Sequence, residues 1–283
     1  MPFLCKPEAM FQYLIQSFRR KKARRFFQEY PYQISRFELE EMGPVEFANW
    51  QNPLTTPKTI RQENVGFFKK FIKKGDLTID IGANIGQMSV AMALAAGKEG
   101  QTLAFDPNPH VFKILEVNAG LNPALTNIRA LNYAITDEEA EFFYHSSEAS
   151  FNNGGISKQN TGKHGRFALP TKVRGIVLER LLEAQFPDRL SRLALIKIDT
   201  EGYDKEIIRS IRGLLRRFKP VVITECFSKT TPEERGEQFH LLADLGYTLY
   251  HIEGFNSGTL MTLINNAGDM NKWKHFDIVA LNS

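Results

Sequence analysis

Two short runs hold the residues whose types and spacing could do chemistry. The first is Leu77-Thr-Ile-Asp-Ile-Gly-Ala-Asn-Ile-Gly86. Leu77, Ile79 and Ile81 alternate as in a buried strand. Gly82, Asn84 and Gly86 then supply the sharp turn and close backbone approach of a strand–loop–helix nucleotide site, with free N–H groups expected to point at a ligand above the strand. The second run is Leu193-Ala-Leu-Ile-Lys-Ile-Asp-Thr-Glu-Gly202, a strand ending in two carboxylates, Asp199 and Glu201. Either could take the proton from a hydroxyl that is being alkylated, or could instead cap the following helix and support the loop. Metal binding by this pair would need a third ligand, and the sequence offers none at a metal-site spacing.

The glycine spacing decides between ligands. A dinucleotide fingerprint reads G-x-G-x-x-G; here Asn84 replaces the middle glycine, and an acid, Asp80, stands inside the strand. An acid there suits a ligand with an ammonium group and would repel a pyrophosphate. The methionine moiety of S-adenosylmethionine (SAM) carries such an amine, so SAM is expected ahead of NAD. Asp106 follows a second strand, Gln101–Phe105, 24 residues after Gly82, near the distance at which an acid receives ribose hydroxyls in doubly wound sheets. Charge-assisted bonds of that kind contribute about 1.5–3 kcal/mol each. Asp106-Pro-Asn-Pro also reads as a helix start, with Asn108 capping, and the two roles are compatible. Asn132 or Asp137, in Asn132-Tyr-Ala-Ile-Thr-Asp137, could receive the adenine amine; Asp137-Glu-Glu reads equally as a plain turn.

The elements that must position these residues follow from the remaining pattern. Residues 1–58 stand apart as an N-terminal helical and wrapping extension, and residues 59–283 form the sheet domain. Phe11, Leu14, Ile15 and Phe18 make an amphipathic stripe that runs into Arg19-Arg-Lys-Lys-Ala-Arg-Arg25. That basic stretch reads as a peripheral contact with anionic lipid, or as a solvated face whose apolar side packs on the main domain or on a second copy of the chain. Residues 26–56 show no clean period and are expected to wrap the domain as a lid. A helix carrying Val65, Phe68 and Ile72 is expected to run to Gly75. A third strand at 127–131, a short strand at 141–145 and another at 172–178 follow.

Residues 146–165 form a long loop, expected to be a substrate cover, with His145 and Asn152 facing the substrate. A strand at 221–225 ends in Glu225, a further substrate contact. Thr231-Pro-Glu-Glu234 is a capping box, and two late strands, Tyr247–Ile252 and 275–281, flank a loop at 254–274 that could shape the acceptor pocket.

Taken together, Asp80-Ile-Gly-Ala-Asn-Ile-Gly86, Phe105-Asp-Pro-Asn-Pro109, Asn132-Tyr-Ala-Ile-Thr-Asp137, Lys197-Ile-Asp-Thr-Glu-Gly202 and Glu225 resemble the FkbM family of SAM-dependent methyltransferases. The resemblance covers roughly residues 60–255. It implies an α/β fold: a doubly wound, Rossmann-like sheet of seven strands with the last antiparallel. It also implies methyl transfer, often to a hydroxyl on a sugar, glycolipid or secondary metabolite. The family usually has Glu where Asp106 stands, a shorter reach to the ribose with the same chemistry.

Composition bounds the rest. With 283 residues, 42% apolar, the chain holds one sheet domain of ordinary size plus an appendage. A net charge of +4 does not imply nucleic acid, and no (D/N)PP(Y/F) loop follows the Asp199 strand, so base methylation is not expected. Cys5 and Cys226 have no metal spacing, which fits reduced thiols and a cytoplasmic enzyme. The expected partner is a small-molecule or glycan acceptor, with homo-oligomerisation open. The rival readings are an NAD-dependent oxidoreductase and a non-catalytic scaffold with a vestigial pocket.

Overall fold

The computed structural model describes residues 7–160, 162 and 165–282, with side chains from Gln12 onward. Cys5, Lys163 and His164, and the side chain of Phe11, lie outside the described residues; Cys226 is a buried free thiol. Helix α1 (Pro7–Arg25) leads into a hairpin, β1 (Tyr32–Leu39) and β2 (Gly43–Trp50), turned at Gly43 with φ +73°. Next come α2 (Gln62–Phe68), β3 (Leu77–Ile81), α3 (Gln87–Ala96), β4 (Gln101–Phe105), α4 (Pro109–Gly120) and β5 (Ile128–Leu131). Short strands β6 (Ala134–Ile135), β7 (Ala140–Ser146), β8 (Gly155–Ser157), β9 (Phe167–Ala168) and β10 (Val173–Ile176) follow. The remainder is α5 (Leu178–Gln185), β11 (Leu193–Ile198), α6 (Asp204–Ser210), α7 (Arg212–Phe218), β12 (Val221–Cys226), α8 (Pro232–Ala243), β13 (Tyr247–Ile252), β14 (Thr262–Ile264) and β15 (Phe276–Asn282).

The main sheet runs β14-β13-β15-β12-β11-β3-β4-β5. Strands β5, β4, β3, β11 and β12 are parallel, and β15 is antiparallel to both β12 and β13. Seven strands in a doubly wound order with the last reversed are therefore present. An eighth, β14, is added at the edge by part of the loop expected at the acceptor. The chain leaves β3 in one direction and returns at β11 beside it, so the order reverses between these two strands. Crevices for ligands lie outside the carboxyl ends of strands at such a point.

Alternation along the strands sorts the core into two layers. Leu77, Ile79 and Ile81 of β3 and Ile196 and Ile198 of β11 face one side, with α5, α6 and α7. Leu195 faces the other, with α2, α3 and the hairpin, whose Val45, Phe47 and Trp50 join Phe67, Phe68 and Val90. Full burial of each large side chain there contributes roughly 1.5–3 kcal/mol.

The region 26–56 is thus a docked hairpin. Asn118 of α4 exchanges two hydrogen bonds with the Ala48 backbone (2.6 and 3.0 Å), and Asn122 does the same at Glu46. Helix α2 stops at Phe68, short of the expected Gly75. There the N–H groups of Lys70 and Phe71 bond three residues back, tightening the chain into turns.

A second sheet, β6-β10-β7-β8 with β9 on β7, stands over the carboxyl ends of β3 and β4. Its strands of two to seven residues surround Phe142, Tyr144, Phe151 and Val173.

Candidate functional site

A cavity of about 310 Å³ opens where the strand order reverses. The β3–α3 loop forms its floor. Gly82 has φ +77°, and a Cβ there would lie 1.9 Å from the carbonyl oxygen of Asp199, so only glycine lets the loops after β3 and β11 touch. Gly86 has φ +91°, and Asn84 sits in the left-handed region at φ +52° with its Oδ1 accepting from Ile85 N–H. The loop's amides are mostly engaged within the protein. Gly82 and Ala83 donate to Phe105 O, Asn84 to Asp106 and Gly86 to Ala83 O. The donors available to a ligand are instead at the start of α3. No side chain caps that helix, and its Gln87 and Met88 line the cavity.

Asp106, at the end of β4, lines the cavity and accepts from Asn84 N–H at Oδ2 and from Asn108 N–H at Oδ1, both at 2.9 Å. Burial drives its pKa up to about 7, against the two amides that lower it. Each oxygen keeps a lone pair for a further donor. Asn108 caps α4 through His110 N–H and donates to Phe151 O (2.6 Å), tying β4 to the cover. Phe105, Val111, Tyr133 and Ile135 make the apolar wall on this side.

Opposite lie Asp199, Thr200 and Glu201. Glu201 is held at φ +52°, a conformation that non-glycine residues rarely adopt and that concentrates at functional sites. Burial, then the neighbouring Asp199, raises the Glu201 pKa above its ordinary value. The loop is fixed by Asp204 at the start of α6. Its carboxylate accepts from Thr200 N–H and Oγ1, from Thr224 Oγ1 and from Glu225 N–H.

Beneath the floor is a charge pair that sequence reasoning missed. Asp80 and Lys197 are register partners on adjacent strands, on the same face of the sheet. Lys197 Nζ lies 3.5 Å from Asp80 Oδ1 and 3.0 Å from Asp199 Oδ2. Burial pulls the Lys197 pKa down, but Asp199 and Asp80 outweigh it and hold the ammonium above its ordinary value. Asp80 is wholly buried, accepts from Ser89 Oγ at 2.6 Å and does not line the cavity. The cation it meets is Lys197.

The other expected site residues divide. Gly82, Asn84, Asp106, Asn152, Asp199 and Glu201 come together around the cavity; Gly86 closes the turn below it. Asn132 points away, donating to the backbone carbonyl of Asp106 at 2.8 Å, and Asp137 is exposed on a turn. His145 is buried within the cover, 2.7 Å from Asn160. Glu225 lies outside the lining, 2.7 Å from His275 Nε2, its pKa pushed to about 8 by burial and by Asp199 and Asp204.

The cover itself comes from residues 152–156, and Lys58 also lines the cavity. The 254–274 loop stays away, held by Arg235, which donates to the carbonyls of Met270, Trp273 and Lys274. Among the described residues, no group of three or more His, Cys, Asp or Glu side chains is arranged to hold a metal ion.

Residues 80–249, more than half of the chain, match the family model described as the methyltransferase FkbM domain. The methyltransferase sdnD of Sordaria araneosa is 27% identical over 154 residues, covering 47% of this chain and 59% of that protein. The hexuronic acid methyltransferase AglP of Haloferax volcanii is 24% identical over 151 residues, covering 53% of this chain and 56% of its own. The chain thus spans a little over half the length of these relatives. The crystal structure of methyltransferase FkbM from Methylobacillus flagellatus KT superposes with a TM-score of 0.46 at 10% identity, covering 74% of this chain and 44% of that one.

Proposed function

The chain belongs to the FkbM methyltransferase family, and from that premise we propose that it transfers the methyl group of SAM to a hydroxyl of a sugar, glycolipid or secondary metabolite. The residues around the cavity fit SAM by charge and shape. Around the cavity stand Asp106, Asp199 and Glu201 against Lys58 and Lys197, and Lys197 is shared between Asp199 and the buried Asp80. A sulfonium and an ammonium are favoured in such surroundings and a pyrophosphate is repelled, which speaks against NAD. Asp106 would take the ribose hydroxyls on its free lone pairs. Tyr133 and Ile135 would cover the adenine, and the start of α3 with Gln87 would take the methionine carboxylate.

When bound, SAM supplies an electrophilic methyl on a cationic sulfur, which leaves as the neutral thioether when an acceptor oxygen displaces it in line. This chain's residues have two tasks. The first is to hold the acceptor against the donor with water excluded, and positioning of that kind can supply about 7–11 kcal/mol of the barrier. Residues 152–156 and Tyr144 close the cavity for this purpose. The second is to receive the hydroxyl proton. Glu201 takes it on a carboxylate oxygen, while Asp199, anchored by Lys197, orients the hydroxyl.

The observation that carries this reading is Glu201, a cavity-lining carboxylate in a strained conformation whose proton affinity burial has raised. Because AglP is named as acting on a hexuronic acid, uronic acids and their glycosides lead the acceptor panel. The test is incubation with methyl-labelled SAM and that panel, with the product located by mass spectrometry and NMR. A methyl ether on an acceptor hydroxyl supports the proposal. Methyl on nitrogen or carbon, or none in protein that binds SAM, overturns it.

A further inference from the structure

Helix α1 touches its own chain only near its end, among the described residues. From Gln12 to Arg25 its side chains are exposed, apart from half-covered Ser17 and buried Ala23. Phe18 is 71% and Leu14 59% accessible, and Tyr13 and Ile15 are exposed beside them. Leu14, Ile15 and Phe18 share one helical face, and Lys22 and Arg25 continue it one and two turns on. Six of the seven residues 19–25 are cationic, and no Asp or Glu occurs from residue 9 through residue 25. Four apolar or aromatic side chains in water, followed by six cations of which one, Arg24, is paired with Glu148, make an unfinished surface.

We infer that α1 docks on an anionic lipid surface, lying in the plane of the headgroups. Charge complementarity selects this occupant. A second copy of α1 would bring two such blocks of six cations together with one acid, Glu8, in each helix to meet them, whereas an anionic bilayer offers apolar depth for Leu14 and Phe18 and negative headgroups for the cations. The aliphatic stems of Lys22 and Arg25 lie along the apolar face while their charges reach the headgroups. Among the described residues no helix is long and apolar enough to cross a membrane, so the contact is peripheral.

Docking there would fix the orientation of the cavity. The Arg24 carbonyl accepts from Ala149 N–H at 3.2 Å, and Arg24 Nε pairs with Glu148 at 3.3 Å. Phe27 packs edge-on against Phe151, with ring centroids 6.2 Å apart. The next residues, 152–156, are the cavity's cover. The helix end is thus joined to the segment that covers the cavity, an arrangement suited to an acceptor held at a membrane.

The experiment is sedimentation of the full chain with vesicles of phosphatidylcholine, alone or mixed with phosphatidylserine, in low and high salt. Three proteins are compared: wild type, Leu14→Ser/Phe18→Ser, and Arg19→Gln/Arg20→Gln/Lys21→Gln/Lys22→Gln. All substituted side chains are exposed, so unchanged melting temperatures are expected and are checked first. Wild type should bind the anionic vesicles at least about tenfold more tightly than the neutral ones, and each variant should lose about tenfold or more. No binding, equal binding to both vesicles, or binding that survives both variants overturns the inference. So does a wild-type dimer that the apolar variant makes monomeric without any vesicle binding. None of these readouts involves methyl transfer, so failure here leaves the proposed reaction standing, and failure of the reaction leaves this result standing.

Discussion

Lys197 and Asp80, far apart in the chain, face each other as register partners in the middle of the sheet, with 3.5 Å between Nζ and Oδ1. The same ammonium reaches Asp199 at the cavity wall, 3.0 Å away. One buried cation therefore ties the strand below the β3–α3 loop to a carboxylate that lines the cavity. Removing one partner of a buried pair strands the other charge and costs about 3–5 kcal/mol. Lys197→Met is expected to lose stability in that range in urea unfolding, with part recovered in Lys197→Met/Asp80→Asn. Equal stability of wild type and the single variant would show that the pair does not hold the sheet.

In the proposed reaction Glu201 is the base. Glu201→Gln keeps the shape of the side chain and removes the base, so kcat/KM should fall about 10²- to 10⁴-fold with binding of S-adenosylhomocysteine unchanged. In wild type the rate should rise with pH through a value above the ordinary carboxylate range, because burial and Asp199 raise the Glu201 pKa. An unaltered pH–rate profile in Glu201→Gln would assign the base elsewhere.

Asp106 makes the ligand-free protein sensitive to pH. Its folded value of about 7 lies above the ordinary 3.8, so the native state retains a proton that the unfolded chain gives up. The stability this brings is complete below about pH 4 and is lost as pH rises through about 7. Asp106→Asn removes the titration. Between pH 4 and 8, wild type should therefore lose stability relative to the variant, by at most about 4 kcal/mol. Denaturant titrations at the two pH values check this. A constant difference would place Asp106 in water.

Gly82→Ala tests the contact between the two loops. Its Cβ would meet the Asp199 carbonyl oxygen at 1.9 Å, where backbone and not a pliable side chain must yield, and φ is +77°. The variant should lose more than about 1 kcal/mol of stability and bind S-adenosylhomocysteine at least about tenfold more weakly. Wild-type binding would show that the loops can separate at no cost.

The parts of this site legible in the sequence are those written in local spacing. Alternation over β3 and β11, the glycines of the first loop and the Asp106-Pro-Asn-Pro turn each need only a few adjacent residues. The Lys197–Asp80 pair depends on register between strands more than a hundred residues apart, which no local pattern carries. Asp204 looks like an ordinary first-turn acid until the turn brings Thr200, Thr224 and Glu225 to it. Alternation within Lys197-Ile-Asp199 does put Lys197 on the face of Asp199, and that was the available signal. Strands β6, β8 and β9 of the second sheet have two or three residues each, too short to show a period. The hairpin was hidden because β2 is buried continuously from Phe47 to Trp50 and so does not alternate.

Isothermal calorimetry of the folded protein with S-adenosylhomocysteine, with NADH as control and Asp106→Ala alongside, tests the central claim most directly. Micromolar binding of S-adenosylhomocysteine, none of NADH, and a loss of about tenfold or more in Asp106→Ala are predicted, as expected when a buried charged acceptor of ligand hydrogen bonds is removed. Binding of NADH in preference, or no binding of S-adenosylhomocysteine by folded protein, would contradict the account.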